Sequence, residues 1–383
     1  MDWLIFGDDW GVHSSTTQHL ARNLPGGDRV LWVNSIGMRS PQFRPKDIQR
    51  LFTKGLSILP RPKASPGAAV AGLPNLTVIS PFVVPWHRRS WISPINKWLL
   101  QSSIKKAMQR AGIRRLAVLA ANPVGVLYLE GLPCESLSYL RLDNYPKMVG
   151  VDPVLADQTE ELMFSQADFV FATARSLLPG AGLSKAQGVY LPHGVDSAHF
   201  AKIPLEPPRS RIVGFYGLMD ERIDYRLVLA VTAMFSDWTF EFVGPVRSLP
   251  PEMRTRPNVR LRPAVPYAEL PDVMQAWDAA WIPYALDEWT LSINPLKLRE
   301  YLAAGLAAFS TPLPEAQSLT PWVEIGVAVE QVKTWLATTV SGDSQEQRAR
   351  RRESVRQESW TSRAELVRSL IGARQGRGPL EPR

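Results

Sequence analysis

The chain has 383 residues, of which 45% are hydrophobic and 21% are charged, and this length predicts two domains with ample core. Such a composition excludes a disordered chain, a collagen and a disulfide-held miniprotein. The formal net charge is +8, and the single cysteine, Cys134, cannot form an internal disulfide, so a reducing compartment is acceptable.

The amino-terminal sequence, MDWLIFGDDW, has acids where a secretory signal has bases, and its apolar run stops at Gly7. It therefore predicts a first strand over 3–6 and no signal peptide. No stretch approaches about 18 uninterrupted apolar residues, the length that a spanning helix needs. We expect a cytoplasmic chain whose contact with the inner face of the cell membrane is peripheral.

Short apolar runs alternate with segments of helical period through the first half of the chain, which predicts a parallel sheet with crossover helices. Helices are expected over 14–24, with a serine cap, and from Ser93, a cap followed by proline, to Gly112. The strand candidates are 3–6, 30–33, 77–79, 116–120, 137–142, 168–172 and 188–191.

Segment 201–210, AKIPLEPPRS, contains three prolines and little apolar pattern, and it predicts an interdomain linker. After it the alternation restarts, with strands 211–216, 239–243, 258–261, 279–283 and 307–310 and helices 222–235, 267–277 and 295–304. Charged residues over 341–372 predict helix. We expect an α/β fold of two doubly wound Rossmann-like domains facing a central cleft: 1–200, the linker 201–210, 211–345, a helical segment 346–372 and a frayed tail 373–383.

The segment 292–304, SINPLKLREYLAA, has the most informative spacing in the chain. Asn294 can cap a helix and Pro295 fits its first position. Lys297 then stands in the first turn, where a helix disfavours a cation, and a bound diphosphate would resolve this conflict. Glu300, on the same face, can accept two hydroxyl hydrogens from a ribose. The alternative is a surface Lys–Glu pair.

Three further residues are candidates for contact with the same ligand. Gly217, after strand 211–216, permits a phosphate to approach closely. Arg222 is a base amid three acids and can bind the diphosphate, or it can be an ion-paired helix residue. His193 follows strand 188–191 at the domain junction and can contact the ligand, or be satisfied by the backbone.

No cofactor or metal is predicted, because the five histidines lack ligand spacing on a helix and no Asp-x-Asp ends a strand of the second domain. The chain also lacks the nucleophile elbow of hydrolases, a phosphate-binding loop and the dinucleotide fingerprint. These absences disfavour hydrolases, nucleoside triphosphatases and dehydrogenases.

Carboxylates follow two predicted strands of the first domain, at the sheet edge where open α/β sheets bind ligands. Asp143 follows strand 137–142, and Asp8 and Asp9 follow the first strand. Each pair of residues can instead form a turn, Asp143-Asn144 before Pro146 and Asp8-Asp9 before Gly11. If these residues are functional instead, Asp143 would supply a base at this edge, and Asp8 and Asp9 would bind an acceptor.

Three segments resemble the GT-B nucleotide-sugar glycosyltransferases, in particular bacterial family 4 (group 1) enzymes of surface-polysaccharide assembly: LPHGVD (191–196), GFYGLMDERID (214–224) and IPYALDEWTLSINPLKLREYLAAGLAAFSTPLPE (282–315). The resemblance implies a nucleotide-diphosphate sugar as donor, with Glu300 on its ribose and the basic residues on its diphosphate. It implies that Asp143 is the catalytic base. Many members have a second glutamate eight positions before the first, where this chain has Ser292.

Residues 39–110 contain thirteen Lys or Arg and one acid, Asp47, interleaved with aromatic residues. This pattern predicts contact with an anionic membrane surface, and enzymes of the resembling group take lipid-linked saccharide acceptors there. The expected helix 94–111 shows an apolar stripe opposite a basic face; the alternative is an ordinary crossover helix. RNA binding is disfavoured because no RNA-binding module is present. The apolar stripe is Leu100, Ile104, Ala107, Met108 and Ala111.

The sequence thus predicts a metal-independent glycosyltransferase, of hexosyl or glucuronosyl type, in exopolysaccharide or cell-surface polysaccharide synthesis. Two other classes stay open. A nucleotide-sugar epimerase or hydrolase on the same fold would form product without an acceptor. A non-catalytic module that binds membrane or nucleic acid would be unaffected by Lys297→Ala or Glu300→Ala.

Overall fold

Residues Met1–Leu191 and Ala364–Arg383 form one α/β unit, and Pro192–Arg363 form a second. The computed structural model describes residues 1–12, 14–38, 69–70, 72–84, 86–89, 91–180 and 186–375. The chain passes from the first unit to the second after Leu191, so the predicted linker 201–210 lies inside the second unit. The predicted boundaries at 200 and 211 differ from this division for that reason.

The strands of the first unit are β1 (Asp2–Phe6), β2 (Arg29–Val33), β3 (Ala69–Val70), β4 (Leu73–Ile79), β5 (Leu116–Ala120), β6 (Cys134–Arg141), β7 (Phe169–Ala172) and β8 (Gln187–Tyr190). They pair in the order β3-β4-β2-β1-β5-β6-β7-β8, and every pair is parallel except β3 with β4. A parallel sheet covered on both faces buries whole strands, and β5, LAVLA, is buried throughout. All predicted strands of this half are present, with small shifts at their ends.

The strands of the second unit are β9 (Ile212–Tyr216), β10 (Thr239–Val243), β11 (Val259–Arg262), β12 (Ala279–Ile282), β13 (Ala307–Ser310) and β14 (Val323–Ile325). They pair in the order β11-β10-β9-β12-β13-β14, and all pairs are parallel. The sequence predicted each strand except β14, whose three residues are too short for a periodic signal. Within each sheet the parallel strands have their carboxyl ends at the same edge, and candidate residues follow strand ends in both units.

The α-helices in chain order are α1 (Thr16–Arg22), α2 (Ser93–Ala111), α3 (Pro153–Gln166), α4 (Ser197–Phe200), α5 (Tyr225–Met234), α6 (Pro251–Thr255), α7 (Leu270–Met274), α8 (Leu296–Ala303), α9 (Pro314–Gln317), α10 (Val329–Trp335), α11 (Gln345–Ser354) and α12 (Trp360–Gln375). Short 3₁₀ helices cover Pro123–Tyr128, Tyr145–Lys147, Arg175–Leu177, Tyr267–Glu269 and Thr290–Ser292, and a π-helical turn covers Leu336–Val340.

Several helix ends differ from the predicted ones because side-chain caps set them. The Oγ of Ser15, rather than that of Ser14, accepts from the Gln18 N–H and begins α1. Helix α2 has no side-chain cap, so Ser93 is its first residue rather than its cap, whereas Gly112 ends it in the left-handed conformation as predicted. Helix α5 begins at Tyr225, since Asp224 accepts from the N–H groups that follow.

Two predicted helices are interrupted. The segment 267–277 contains a 3₁₀ turn followed by the short helix α7. The charged segment 341–372 is divided into α11 and α12, which leaves 355–359 outside regular helix. The predicted tail 373–383 lies outside the described residues from 376 onward.

The apolar stripe of α2 packs in the core of the first unit. Leu100, Ile104, Ala107 and Met108 are buried there, and Ala111 packs against them at the edge. The crossover-helix interpretation is therefore correct for this stripe, and the stripe itself cannot face a membrane. Much of the predicted basic segment, 39–68, lies outside the described residues. Among the residues that are described, no helix combines the length and apolarity needed to cross a bilayer.

The carboxyl-terminal helix completes the first unit. Arg368 Nε donates to Asp28 Oδ2 at 2.8 Å, and Arg374 Nε donates to Asp168 Oδ1 at 3.1 Å. Asp28 is almost fully buried, and although burial opposes it, the bonds from Arg368 and others lower the pKa of this carboxyl. Helix α12 is thereby tied to two loops of the first unit, whose strands all come from the first half of the chain.

Candidate functional site

Two glycines bring the loops after β9 and β10 into direct contact. Gly217 has a φ of +134° and Gly244 a φ of +148°, values that other residues rarely adopt. A Cβ on Gly244 would lie 2.1 Å from the Gly217 carbonyl oxygen, and a Cβ on Gly217 would lie 2.5 Å from Cε of Lys297. The absence of side chains here therefore makes room for the lysine beside the end of β9.

Lys297 lies in the first turn of α8, half-buried, with Nζ 5.7 Å from the centroid of the Tyr216 ring. It has no salt bridge with any residue of the described part of the chain. The first N–H groups of a helix lack intrahelical acceptors, and the helix dipole adds positive potential at that end. This end of the second sheet thus concentrates positive charge that an anion such as a diphosphate can neutralise.

The predicted cap of this helix is wrong in its details. Pro295 is the N-cap and makes no side-chain capping bond, so α8 begins at Leu296. Asn294 is buried and its side chain turns to other partners: Oδ1 accepts from Arg299 Nη1 at 2.8 Å and Nδ2 donates to Glu315 Oε2 at 3.4 Å. Asn294 therefore fixes the approach to α8, and the N-cap residue of the helix supplies no side-chain bond to its first N–H groups.

Glu300 is buried in the same helix, with 3% of its surface exposed. Burial and the nearby Asp196 carboxylate raise its pKa from 4.5 to about 8. No salt bridge joins it to Lys297 in the described structure, so the surface-pair alternative is wrong. A buried carboxyl without a cation is costly to ionise, and hydroxyl donors from a ligand would stabilise its charged form.

His193 lies next to the start of α8. Burial, Arg299 and Lys297 lower the pKa of its imidazole to about 3, and a bond to the Asn294 backbone opposes this shift only in part. His193 is therefore neutral at physiological pH and cannot serve as a cation for phosphate. The backbone-satisfied interpretation describes part of its surroundings, while contact of the neutral ring with a ligand stays a prediction.

Arg222 is held in the loop after β9 by a buried acid. Its Nε donates to Asp220 Oδ1 at 2.9 Å and its Nη2 to Asp220 Oδ2 at 3.0 Å. The guanidinium lies over the rings of Trp289 and Tyr284, at 5.2 and 5.7 Å from their centroids. The ion-paired alternative thus describes its geometry. A diphosphate contact by Arg222 stays a prediction and would have to share the guanidinium with Asp220.

In the first unit, Asp143 follows β6 and is half-buried, and its Oδ1 accepts from the Asn144 N–H at 2.9 Å. Tyr145 donates its hydroxyl to the carbonyl oxygen of Ala121, just beyond β5. Burial raises the pKa of Tyr145, and the charges of Asp143 and, more weakly, Asp8 add to the shift. Two of the predicted carboxylates therefore lie near one phenol at the carboxyl edge of the first sheet.

The other carboxylates of this edge are engaged in a turn. Asp8 Oδ1 accepts from Ser15 Oγ at 2.9 Å and Oδ2 from Gln18 Nε2 at 3.2 Å, while burial raises its pKa. Asp9 is exposed, and its carbonyl accepts from the Val12 N–H at 3.3 Å. The turn interpretation is thus confirmed for Asp9, and acceptor binding by either residue stays a prediction.

Sequence reasoning missed three residues that shape these sites. Arg299 is 2% exposed and links Asn294 to Glu358, with its Nε 2.8 Å from Glu358 Oε2. Asp196 lies close enough to Glu300 to raise its pKa. Tyr145 was passed over as part of a turn. Arg299 carried a signal, since a base inside an otherwise apolar helix face requires a buried partner.

The two parallel α/β sheets, each wound with crossover helices, define the GT-B fold that the sequence predicted. No protein-family profile matches the chain. A curated relative, the putative teichuronic acid biosynthesis glycosyltransferase TuaH of Bacillus subtilis, is 30% identical over 112 residues. That stretch covers 28% of this chain and 28% of the relative.

Solved structures match over nearly the whole length. Sucrose-phosphate synthase from Thermosynechococcus elongatus has a TM-score of 0.64 at 13% identity, over 97% of this chain and 99% of that one. Anabaena HepE in complex with UDP and glucose has a TM-score of 0.62 at 11% identity, over 97% and 99%. An E. coli trehalose-6-phosphate protein bound with UDP-2-fluoro glucose has 0.63 at 11%, over 100% of both chains. The predicted resemblance to GT-B glycosyltransferases is confirmed.

Proposed function

We propose that this chain is a glycosyltransferase that moves a sugar from a nucleotide-diphosphate sugar to a saccharide acceptor. The observation that carries the proposal is that Lys297 and Glu300 lie on one short helix without a salt bridge between them in the described structure. The first is a cation without a salt-bridge partner in the described structure, held beside Gly217, and the second is a buried carboxyl without a cation. One ligand with a diphosphate next to a ribose satisfies both.

In this proposal the donor lies against the carboxyl edge of the second sheet. The first N–H groups of α8 and the ammonium of Lys297 take the diphosphate, with Arg222 as a further cation, and Glu300 accepts the ribose hydroxyls. These cations would stabilise the leaving diphosphate without a metal. Because HepE and the E. coli protein were solved with UDP or UDP-sugars, we propose a UDP-sugar as the donor to test first.

The acceptor is proposed to bind at the carboxyl edge of the first sheet. Asp143 would take the proton of the attacking hydroxyl while the sugar leaves its diphosphate, and Asp8 and Asp9 would orient the acceptor. If the reaction retains the anomeric configuration, the leaving phosphate can take that proton instead. The partial match to TuaH, a putative teichuronic acid biosynthesis glycosyltransferase, supports a saccharide acceptor. A surface-polysaccharide acceptor on a lipid carrier, at the inner face of the cell membrane, is part of the same proposal.

A thermal-shift screen of the full chain with UDP, GDP and ADP, each alone and as a sugar conjugate, tests the donor class. We expect the nucleotides of one nucleobase to raise the melting temperature of the chain, in proportion to the logarithm of the nucleotide concentration. The absence of a shift with every nucleotide up to millimolar concentration would contradict the proposal and favour a non-catalytic module. Release of free sugar from the stabilising donor without any acceptor would indicate a hydrolase instead.

Glu300→Gln is expected to make the free protein more stable and the donor weaker. The raised pKa means that the folded chain holds a proton which the unfolded chain releases above about pH 4.5. Stability from this group is thus fully present below that pH and is lost as the pH rises through about 8. The amide has the same shape and does not ionise, so the melting temperature of the variant should exceed that of the wild type at about pH 8.5 and match it near pH 4.5.

The same variant should bind the nucleoside diphosphate about 10- to 100-fold more weakly, because an amide accepts through one oxygen where a carboxylate accepts through two. Titration calorimetry at pH 7.5 measures this. Glu330→Gln is the matched control, because Glu330 is an exposed glutamate that forms a salt bridge with Lys333, three residues later. Gain of stability without loss of affinity would remove Glu300 from the donor site and leave it as a core residue only.

Gly217→Ala is expected to lower both donor affinity and stability. A methyl group there meets Lys297 Cε at 2.5 Å, and the backbone would keep a φ that alanine disfavours. The strain costs about 1–3 kcal/mol. Displacement of the ammonium should weaken nucleotide binding at least tenfold, as measured by calorimetry. Gly26→Ala, where the added methyl meets nothing within 4 Å, should change neither quantity.

A further inference from the structure

Four large apolar side chains are exposed in the residues that lead into α2 and in its first two turns. We call them the tryptophan face: Phe82, Trp91, Ile95 and Trp98, whose exposed fractions are 69%, 67%, 47% and 68%. Trp91, Ile95 and Trp98 are spaced by four and three residues, so they lie on one side of the helix and its first turn. Clustered exposure of this kind is uncommon on a free surface and marks a place where the protein binds something.

The segment that carries the tryptophan face is fixed by buried polar contacts. Asn96 accepts from the Val84 N–H and donates to the Val84 carbonyl, both at 2.9 Å, and so pins the loop that carries Phe82 to α2. His87 is buried, with Nδ1 2.6 Å from the Tyr128 hydroxyl and Nε2 3.1 Å from the Ile36 carbonyl. Polar residues thus point inward here while tryptophans point outward, the reverse of an ordinary surface.

The segment that carries this face is basic, although two of its bases pair with acids from elsewhere in the first unit. Between residues 80 and 110 the sequence has six Lys or Arg and no acid. Farther along α2, the exposed Lys105 and Lys106 follow Trp98, so the outer side of the helix changes from apolar to basic along its length. Lys97 pairs with Glu130 at 2.5 Å and Arg88 pairs with Asp152 at 3.6 Å. No salt bridge joins Lys105 or Lys106 to another described residue, so these two lysines can act on an outside partner.

A protein partner and a lipid surface make different demands on such a face. Protein interfaces are depleted in lysine, whereas the headgroup region of an anionic bilayer combines apolar depth for tryptophan with negative charge for lysine and arginine. We propose that the tryptophan face inserts into the headgroup region of an anionic membrane, with Lys105 and Lys106 on the lipid phosphates. This inference rests on the membrane contact in the proposed function. It assigns that contact to the exposed side of α2 rather than to the buried apolar stripe.

Vesicle co-sedimentation tests the inference with the full chain and its Trp91→Gln/Trp98→Gln variant. Vesicles contain phosphatidylcholine with phosphatidylglycerol, or phosphatidylcholine alone. We expect the wild type to bind the anionic vesicles at low salt, and the double variant to lose on the order of tenfold or more in affinity. Lys105→Gln/Lys106→Gln should lose about 30-fold in affinity, at roughly fivefold for each base, and should depend less on salt. Trp322→Gln, an exposed tryptophan of the second unit, is the control.

Depth of insertion is read by quenching with brominated lipids. Because the chain has 13 tryptophans, the informative quantity is the quenching lost in the double variant relative to the wild type. Equal vesicle binding and equal quenching by the wild type and the Trp91→Gln/Trp98→Gln variant would overturn the inference, as would wild-type binding to neither kind of vesicle. A homogeneous complex with another protein that is lost in that variant, without vesicle binding, would assign the face to a protein partner and overturn it equally.

The outcome is separable from that of the proposed function. Nucleotide binding in solution uses the second unit, so the thermal shift with UDP should be the same for the wild type and the tryptophan variant. Vesicle binding without any nucleotide shift would sustain this inference while the sugar-transfer proposal fails. A normal thermal shift with nucleotide, without vesicle binding, would sustain the sugar-transfer proposal while this inference fails.

Discussion

Lys297→Ala is expected to lower kcat/KM for the donor by about 100-fold or more and to weaken binding of the nucleoside diphosphate. The first turn of α8 has two bases: Arg299 is bound to Glu358, whereas Lys297 has no salt bridge in the described structure. The Lys297 ammonium lies beside the loop at the end of β9. Removal of one preorganised charge from a site where negative charge develops typically costs this much in rate. Initial rates with a radiolabelled UDP-sugar and calorimetry with UDP measure the two effects.

Lys333→Ala is the matched control, because Lys333 also lies three residues from a glutamate in a helix, with Nζ 3.6 Å from Glu330 Oε2 and both side chains exposed. It should leave rate and affinity unchanged. The melting temperature of Lys297→Ala without nucleotide should not fall, since the lysine has no salt bridge in the described structure to lose. Full affinity in Lys297→Ala would remove the diphosphate from this end of the helix.

Asp143→Asn is expected to lower the rate of transfer by about 100- to 10,000-fold while donor affinity stays the same. Asparagine keeps the oxygen that accepts from the Asn144 N–H, so the local turn should persist. It cannot take up a proton from the acceptor hydroxyl. Single-turnover transfer and UDP calorimetry, measured on the same preparation, separate the loss of chemistry from any loss of binding.

Asp157→Asn, at an exposed position on α3 of the same unit, is the control and should have no effect. The anomeric configuration of the product, determined by NMR, completes the test. A retained configuration together with full activity of Asp143→Asn would assign the proton to the leaving phosphate and contradict the base role. An inverted product with full activity would place the base elsewhere in the first unit.

The alternating pattern predicted the architecture because a parallel sheet buries whole strands, and runs such as LAVLA and TFEFV are unmistakable. Short elements escaped, as β14 has three residues and β3 has two. The predicted linker 201–210 lies within the second unit. Prolines mark irregular backbone, and irregular backbone also occurs inside a unit. Composition cannot say to which sheet such a segment belongs.

The positions of Lys297 and Glu300 in one helix were predicted more accurately than their contacts. Residue spacing placed Lys297 in the first turn of a helix and Glu300 on the same helix, but it could not reveal that Glu300 is buried beside Asp196. Asn294 was assigned a capping bond, whereas its side chain binds Arg299 and Glu315. Those partners are distant in sequence, and no local pattern reports them. Burial and long-range contacts are properties of the fold that a single sequence does not display.

Because α12 packs on the first unit, that unit is synthesised first but cannot be completed until α12 has been made. The strands of the first unit lie within residues 2–190, yet Asp28 and Asp168 acquire Arg368 and Arg374 only after the second unit has been synthesised. While the second unit is being synthesised, the Asp28 carboxylate therefore lacks its bonds from Arg368. A fragment ending at Leu191 is consequently an unfinished domain, and excision of the first unit as a working piece would require α12 to be grafted onto it.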